Sequence, residues 1–155
     1  MAAGLKMPVE RFGVFRERFT AFANAGIDAR ALTGRTEYDC SAACEELDMP
    51  TLEAFERFAP FGRENPGIRL RLERVTVVAR PQLLGNSGKH LALMVNETEP
   101  GRGRALRVVA WDWAKHIGEF EPGRPFECIV EPKISRWKGR ATPEAVLVDA
   151  RFTRS

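Results

Sequence analysis

Several things are scarce in this 155-residue chain. It has three cysteines, Cys40, Cys44 and Cys128, an odd number that argues against a disulfide scaffold and suits a reducing compartment. It has two histidines, His90 and His116, separated by strand-like and helix-like stretches. No apolar run approaches the roughly 20 residues that would span a bilayer, so no membrane partner is expected. The opening residues, Met1 to Lys6, lack the apolar core of a signal peptide, so a cytoplasmic location is expected. Net charge is only +3. With 44% hydrophobic and 29% charged residues, the composition excludes a disordered tail or collagen-like repeat and suits one domain or two small ones.

What the chain does have is unevenly placed. Residues 1–66 hold 8 basic and 11 acidic side chains, whereas residues 67–155 hold 16 basic and 10 acidic ones. A second half this basic suits a polyanion such as nucleic acid; a solvated basic surface on an ordinary domain is the alternative.

The first part reads as helical. Val9, Phe12, Phe15, Phe19 and Phe22 step by three or four residues and fall on one helix face, with Pro8 in the first turn and Gly26 at the stop. Such a stripe reads as packing surface, yet little else in residues 1–66 is apolar enough to meet it. Arg35 to Cys40 reads as an edge strand, followed by a helical turn from Ser41 toward Leu47. Pro50 and Thr51 open a second helix, with Thr51 as its cap and Leu52, Phe55 and Phe58 on one side. Ala59 to Gly67 is dense in proline and glycine, so the domain boundary is expected there.

Beyond it the pattern turns to period two. Ile68, Leu70 and Leu72 share a face, Val75 and Val77 resume it after a slip, and the slip predicts a bulge in a bent strand. Further strands are expected around Leu91–Val95, Leu106–Ala110, Phe126–Val130 and, from Val146, Val148 and Ala150, at the end. A short amphipathic piece, Trp113 to Ile117, separates the third and fourth. Five strands in this order, the first long and bent, suit an OB-fold barrel, although other small barrels give a similar string.

Hydrolytic chemistry lacks its ingredients. Asp112, Glu144 and Asp149 are isolated, and neither histidine sits in a carboxylate cluster, so a metal nuclease site is not expected. Cys40 and Cys44 lack a second pair to complete a zinc site, and Cys128 reads as core. Gly85-Asn86-Ser87-Gly88-Lys89 lacks the spacing of a phosphate loop and reads as a turn, with Lys89 free to meet phosphate as a point charge.

The binding signals are stronger. Lys133 to Arg140 reads as the loop between the last two strands, and it gathers four cations, Lys133, Arg136, Lys138 and Arg140, around Trp137. Cations follow phosphates and an indole stacks on bases, so the loop suits a single strand; alternatively Trp137 folds onto the barrel end. Arg69, Arg71, Arg107 and Trp111 on the strands are further candidates, while Arg102 and Arg104 read as solvated charge.

Phe58-Ala59-Pro60-Phe61-Gly62-Arg63-Glu64-Asn65-Pro66 resembles the Leu-x-Pro-Phe-Gly-x-Gly-Asn-Pro segment of the bacterial RecJ family, exonucleases specific for single-stranded DNA. Lys89-His90-Leu91-Ala92-Leu93, Val108-Val109-Ala110-Trp111, Ser135-Arg136-Trp137-Lys138-Gly139 and Val148-Asp149-Ala150-Arg151 resemble later segments of that family in the same order. Ala2-Ala3-Gly4-Leu5 resembles the end of the Gly-Gly-His motif in its DHHA1 domain. Departures are Glu64 where the family has glycine, Ser135 where it often has asparagine, and Gly67-Ile68 in place of Glu-Pro.

The resemblance implies an α+β chain: the end of a DHHA1-like domain over 1–59, a linker over 60–67, and a five-stranded OB barrel over 68–152. Pro60, Phe61, Gly62, Asn65 and Pro66 would be structural residues of the linker. The family's Asp-His-His catalytic motifs and its Gly-Gly-His do not occur here, so the chain is expected to be the final portion of such an enzyme, inactive alone, with no catalytic residue, metal ligand or cofactor of its own. The implied reaction of the whole enzyme is 5′→3′ hydrolysis of single-stranded DNA with Mn²⁺ or Mg²⁺, in recombination and repair. The barrel would hold the strand. The alternative is a protein-interaction module recruiting a single-strand-binding protein or a helicase. Self-association through the phenylalanine face is also expected.

Overall fold

In a computed structural model, which describes residues 4–27, 34–98 and 103–152, the chain divides into two units, Met1–Arg35 and Thr36–Ser155. Ala2, Ala3 and Arg102, singled out above, lie outside the described residues.

In the first unit a 3-10 turn, Val9–Arg11, follows Pro8 and leads into helix α1, Phe12–Gly26. The predicted stripe is present: Phe15 and Phe19 stack with ring centroids 5.6 Å apart. None of the helix residues is buried.

The second unit starts well before the boundary expected at 60–67, because residues 36–59 are built into it. Strand β1, Cys40–Ala42, lies parallel to the start of β2, Leu70–Val77. It falls just after the segment predicted as an edge strand. A 3-10 turn, Cys44–Glu46, then leads to helix α2, Met49–Glu56. Its cap is Asp48, not Thr51: the Asp48 carboxylate accepts the Thr51 backbone N–H at 2.9 Å. Cys44, Leu47 and Leu52 enter the core cluster, so this segment stops one end of the barrel.

The remaining strands are β3, Gln82–Leu84; β4, His90–Glu97; β5, Leu106–Ala110; β6, Phe126–Trp137; and β7, Arg140–Phe152. β3 lies inside Pro81–Gly88, which the strand spacing predicts as a loop, and it pairs with β4. β2 bulges between Leu72 and Val75, where Arg74 takes a φ of 50°. The bulge bends the strand, so Leu70–Leu72 pair with β6 while Val75–Val77 pair with β4. One strand thereby joins both edges of the sheet. The circuit β2-β4-β5-β7-β6-β2 is closed, with β5 and β7 parallel and the other pairs antiparallel.

Leu70, Leu72, Leu91, Leu93, Val108, Cys128 and Val130 fill the interior. On β7 the inward set differs from the expected one. Ile129 pairs with Asp149 but Val130 pairs with Leu147, so Val148 is an extra, bulged residue that reverses the alternation. Leu147 and Ala145 are therefore the buried residues in place of Val148 and Val146. The other barrel end is closed after the 3-10 helix Ala114–Glu119 by Phe120, which meets Phe126 and Phe152 edge-on at 5.4 and 5.1 Å.

Candidate nucleic-acid interface

The segment predicted as a loop is a β-hairpin. β6 runs to Trp137, β7 starts at Arg140, and Lys138 and Gly139 form the tip with φ of 49° and 75°. Two left-handed residues in a two-residue connection make a type I′ turn, whose twist matches that of paired strands. Glycine at 139 takes that φ without strain. Trp137 faces Arg140 across the ladder and is 72% exposed, so it does not fold onto the barrel end. Lys138 and Arg140 are exposed, and no carboxylate pairs with either among the described residues.

Three other nominated cations are neutralised locally. Arg69 Nε meets Glu131 at 2.9 Å. Arg71 lies between Glu127 at 2.7 Å and Glu73 at 3.0 Å, with its guanidinium 5.7 Å over the Tyr38 ring. The Glu127 carboxylate first, then the Tyr38 hydroxyl, hold Arg71 above the ordinary arginine range. Arg136 points away from Trp137 and forms a bidentate pair with Glu56 of α2 at 2.7 and 2.8 Å. That bond lowers the Glu56 carboxyl and raises the Arg136 guanidinium. These three arginines fasten elements to one another.

On the same outward face as Trp137 and Arg140, a single cross-strand row holds Met94, Arg107, Glu144 and Lys133. Glu144 is the one buried charged side chain among the described residues, 5% exposed. Arg107 pairs with one of its oxygens, and Lys133 Nζ lies 2.9 Å from the other. Burial, then the neighbouring Arg107 charge, lowers the Lys133 ammonium below its ordinary value. Sequence reasoning singled out Arg107 and Lys133 separately and read Glu144 as isolated; it missed the row, since only the register aligns residues so far apart in the chain.

At the other end of β5 lies a second aromatic position. Trp111 is half exposed and meets the His90 ring edge-on at 4.8 Å, while His90 Nδ1 accepts the Asp112 backbone N–H at 3.0 Å. Lys89 is exposed beside it. The nominated residues thus form two groups, the hairpin and the Lys89–Trp111 end, with the Arg107 row between. Arg104 is exposed, as expected.

The linker motif makes a tight turn. The Asn65 amide donates to the Phe58 and Pro60 carbonyls at 2.9 and 3.0 Å, and Gly62 N–H donates to the Asn65 carbonyl at 2.7 Å. A side-chain amide with two donors explains asparagine at this position. Between this turn, α2 and β6 lies a cavity of about 810 Å³, lined in part by Leu52, Phe55, Phe61, Ile68 and Ile134. Among the described residues no three His, Cys, Asp or Glu side chains are grouped to hold a metal ion. No donor set among the described residues therefore fits the Mn²⁺ or Mg²⁺ that the resemblance implies for a whole enzyme.

A closed five-stranded barrel with this strand order defines an OB-type domain, here with exposed tryptophans and cations between its last hairpin and β4–β5. The chain belongs to the RecJ OB domain family, whose model matches residues 38–149. It is 28% identical over 152 residues to the single-stranded-DNA-specific exonuclease RecJ of Dickeya dadantii (strain 3937), covering 95% of this chain and 24% of that protein. The chain thus spans about a quarter of the length of that relative. Two crystal structures of RecJ from Thermus thermophilus share the fold. The complex with Mn²⁺ matches with a TM-score of 0.68 and 22% identity over 98% of this chain and 21% of its own. The complex with Mg²⁺ matches with a TM-score of 0.62 and 21% identity over 96% of this chain and 21% of its own.

Proposed function

We propose that residues 36–152 bind single-stranded DNA without sequence preference and hold it for a 5′→3′ exonuclease whose catalytic part lies outside this chain. The observation that carries this reading is the hairpin tip, where an exposed indole stands beside Lys138 and Arg140. An indole stacks on any base and the cations follow the phosphates, so neither contact selects a sequence. The reaction of the whole enzyme, its divalent metal, and its place in recombination and repair in the cytoplasm follow from likeness to RecJ and belong to the same proposal. So does a DHHA1-like origin, narrowed from residues 1–59 to residues 1–35 because the RecJ OB domain model matches from residue 38.

The test is binding of an oligothymidylate to the full chain across a salt series. Affinity should fall as salt rises, because phosphate contacts release counterions. Trp137→Ala should weaken binding by about 1–3 kcal/mol, the worth of stacking on one base, with an unchanged melting temperature. Binding indifferent to salt would refute the reading. The apolar cavity beside the linker favours a second reading, capture of a single-strand-binding protein or helicase. In that case Trp137→Ala would leave DNA affinity unchanged, while Phe55→Ser in the cavity lining would reduce partner capture.

A further inference from the structure

We propose that Arg107 and Lys133 form a seat for one backbone phosphate of the bound strand, positioned by the buried carboxylate of Glu144. This rests on the DNA-binding reading above and assigns a specific site within it.

The argument starts from the row itself. Three neighbouring strands place Arg107, Glu144 and Lys133 side by side, so one acid lies between two cations. The acid is 5% exposed, whereas the cations are 40% and 42% exposed. A buried carboxylate needs compensation, but one hydrogen-bonded cation would neutralise it. The second leaves the group with a net charge of +1 on the outward face. Glu144 accepts a hydrogen bond from Arg107 and forms an ion pair with the Lys133 ammonium, and no other acceptor bonds either cation among the described residues. A guanidinium has five N–H donors and an ammonium three, so several remain for an anion. A phosphodiester oxygen between the heads would accept them with charge assistance. It would also offset the Arg107 charge, which adds to burial in lowering the Lys133 ammonium.

The position fits a strand already held at the hairpin. Arg140 lies four residues along β7 from Glu144, about 13 Å at strand rise. Trp137, Arg140 and the seat share one face, so a strand stacked on the indole continues over Arg107 and Lys133.

The experiment measures oligothymidylate binding to the full chain over a salt series. Lys133→Gln and Arg107→Gln should each weaken binding several-fold at low salt and reduce the slope of log affinity against log salt by about 0.7, the loss of one phosphate contact. Each single variant leaves the other cation on Glu144, so the buried acid stays compensated; a thermal melt confirms that the variants fold. Lys133→Arg should restore the slope. Glu144→Gln keeps an oxygen acceptor but frees both charges, so its slope should steepen. If the wild-type chain binds and the Gln variants at 107 and 133 keep its slope, the seat falls and the hairpin reading stands. An unchanged slope in Glu144→Gln removes the carboxylate from the arrangement. If the wild-type chain binds no oligothymidylate, both proposals fall together.

Discussion

At the scale of single residues, the partner of each charge decides its use. Arg69, Arg71 and Arg136 have carboxylates at salt-bridge distance and join strands or helix α2, whereas Lys138 and Arg140 have none among the described residues. The spread of cations and tryptophans was readable in the sequence, but its division into fasteners and contact residues was not, because every fastening acid lies elsewhere in the chain. The cysteines divide the same way. Cys40 is exposed while Cys44 and Cys128 are buried. Burial first, then the nearby Glu97 carboxylate, pushes the Cys44 thiol far above its ordinary value, and burial pushes Cys128 up to about 12. A thiolate-specific reagent at neutral pH should therefore titrate one thiol rapidly in the folded chain and three in guanidinium chloride. Rapid reaction of two or three in the native protein would contradict this burial.

At the scale of elements, local chemistry set most boundaries and pairing set the rest. Asp48 caps α2, and its bonds from the Thr51 backbone and side chain lower its carboxyl below the ordinary value. A carboxyl lowered in the folded state adds stability that is complete above its ordinary range and lost as pH falls through the lowered value. Asp48→Asn retains a cap oxygen that does not titrate. Its melting temperature should lie below that of the wild type near neutrality, and the gap should close on acidification. Thermal melts across that range check it. Thr51 has the sequence character of a cap because it precedes an apolar run, but the N–H that needs capping is its own. The slip after Leu72 correctly announced the β2 bulge. The Val148 bulge had no comparable signal, since valines and leucines flank it on both faces and keep the run apolar in either register.

At the scale of the whole molecule, the chain spans about a quarter of its exonuclease relative from Dickeya dadantii. The barrel unit begins at Thr36, because β1 and α2 supply an added strand and a stopper that the proline-rich turn at 60–67 does not separate. Composition alone suggested otherwise: the turn is the sharpest break in sequence character, yet contacts cross it. The first unit is different. Phe12, Phe19 and Phe22 are exposed on one face of α1, a patch suited to a protein partner. Concentration-dependent mass in sedimentation is the expected outcome, and Phe19→Ser with Phe22→Ser should return the chain to a monomer. A wild-type chain that stays monomeric at high concentration would remove that face from consideration.

The sequence by itself determined the helical start, five strands in barrel order, the bulge in the first of them and the gathering of cations around Trp137, though as a loop and not as the hairpin it is. Each of these is written in residues close together in the chain, through periodicity, a slip in it, or turn chemistry. Only the tertiary structure decided that residues 36–59 join the barrel, that three arginines are fasteners, and that Arg107, Glu144 and Lys133 form one row. Those facts depend on register between distant strands, and register is a property of the closed barrel as a whole.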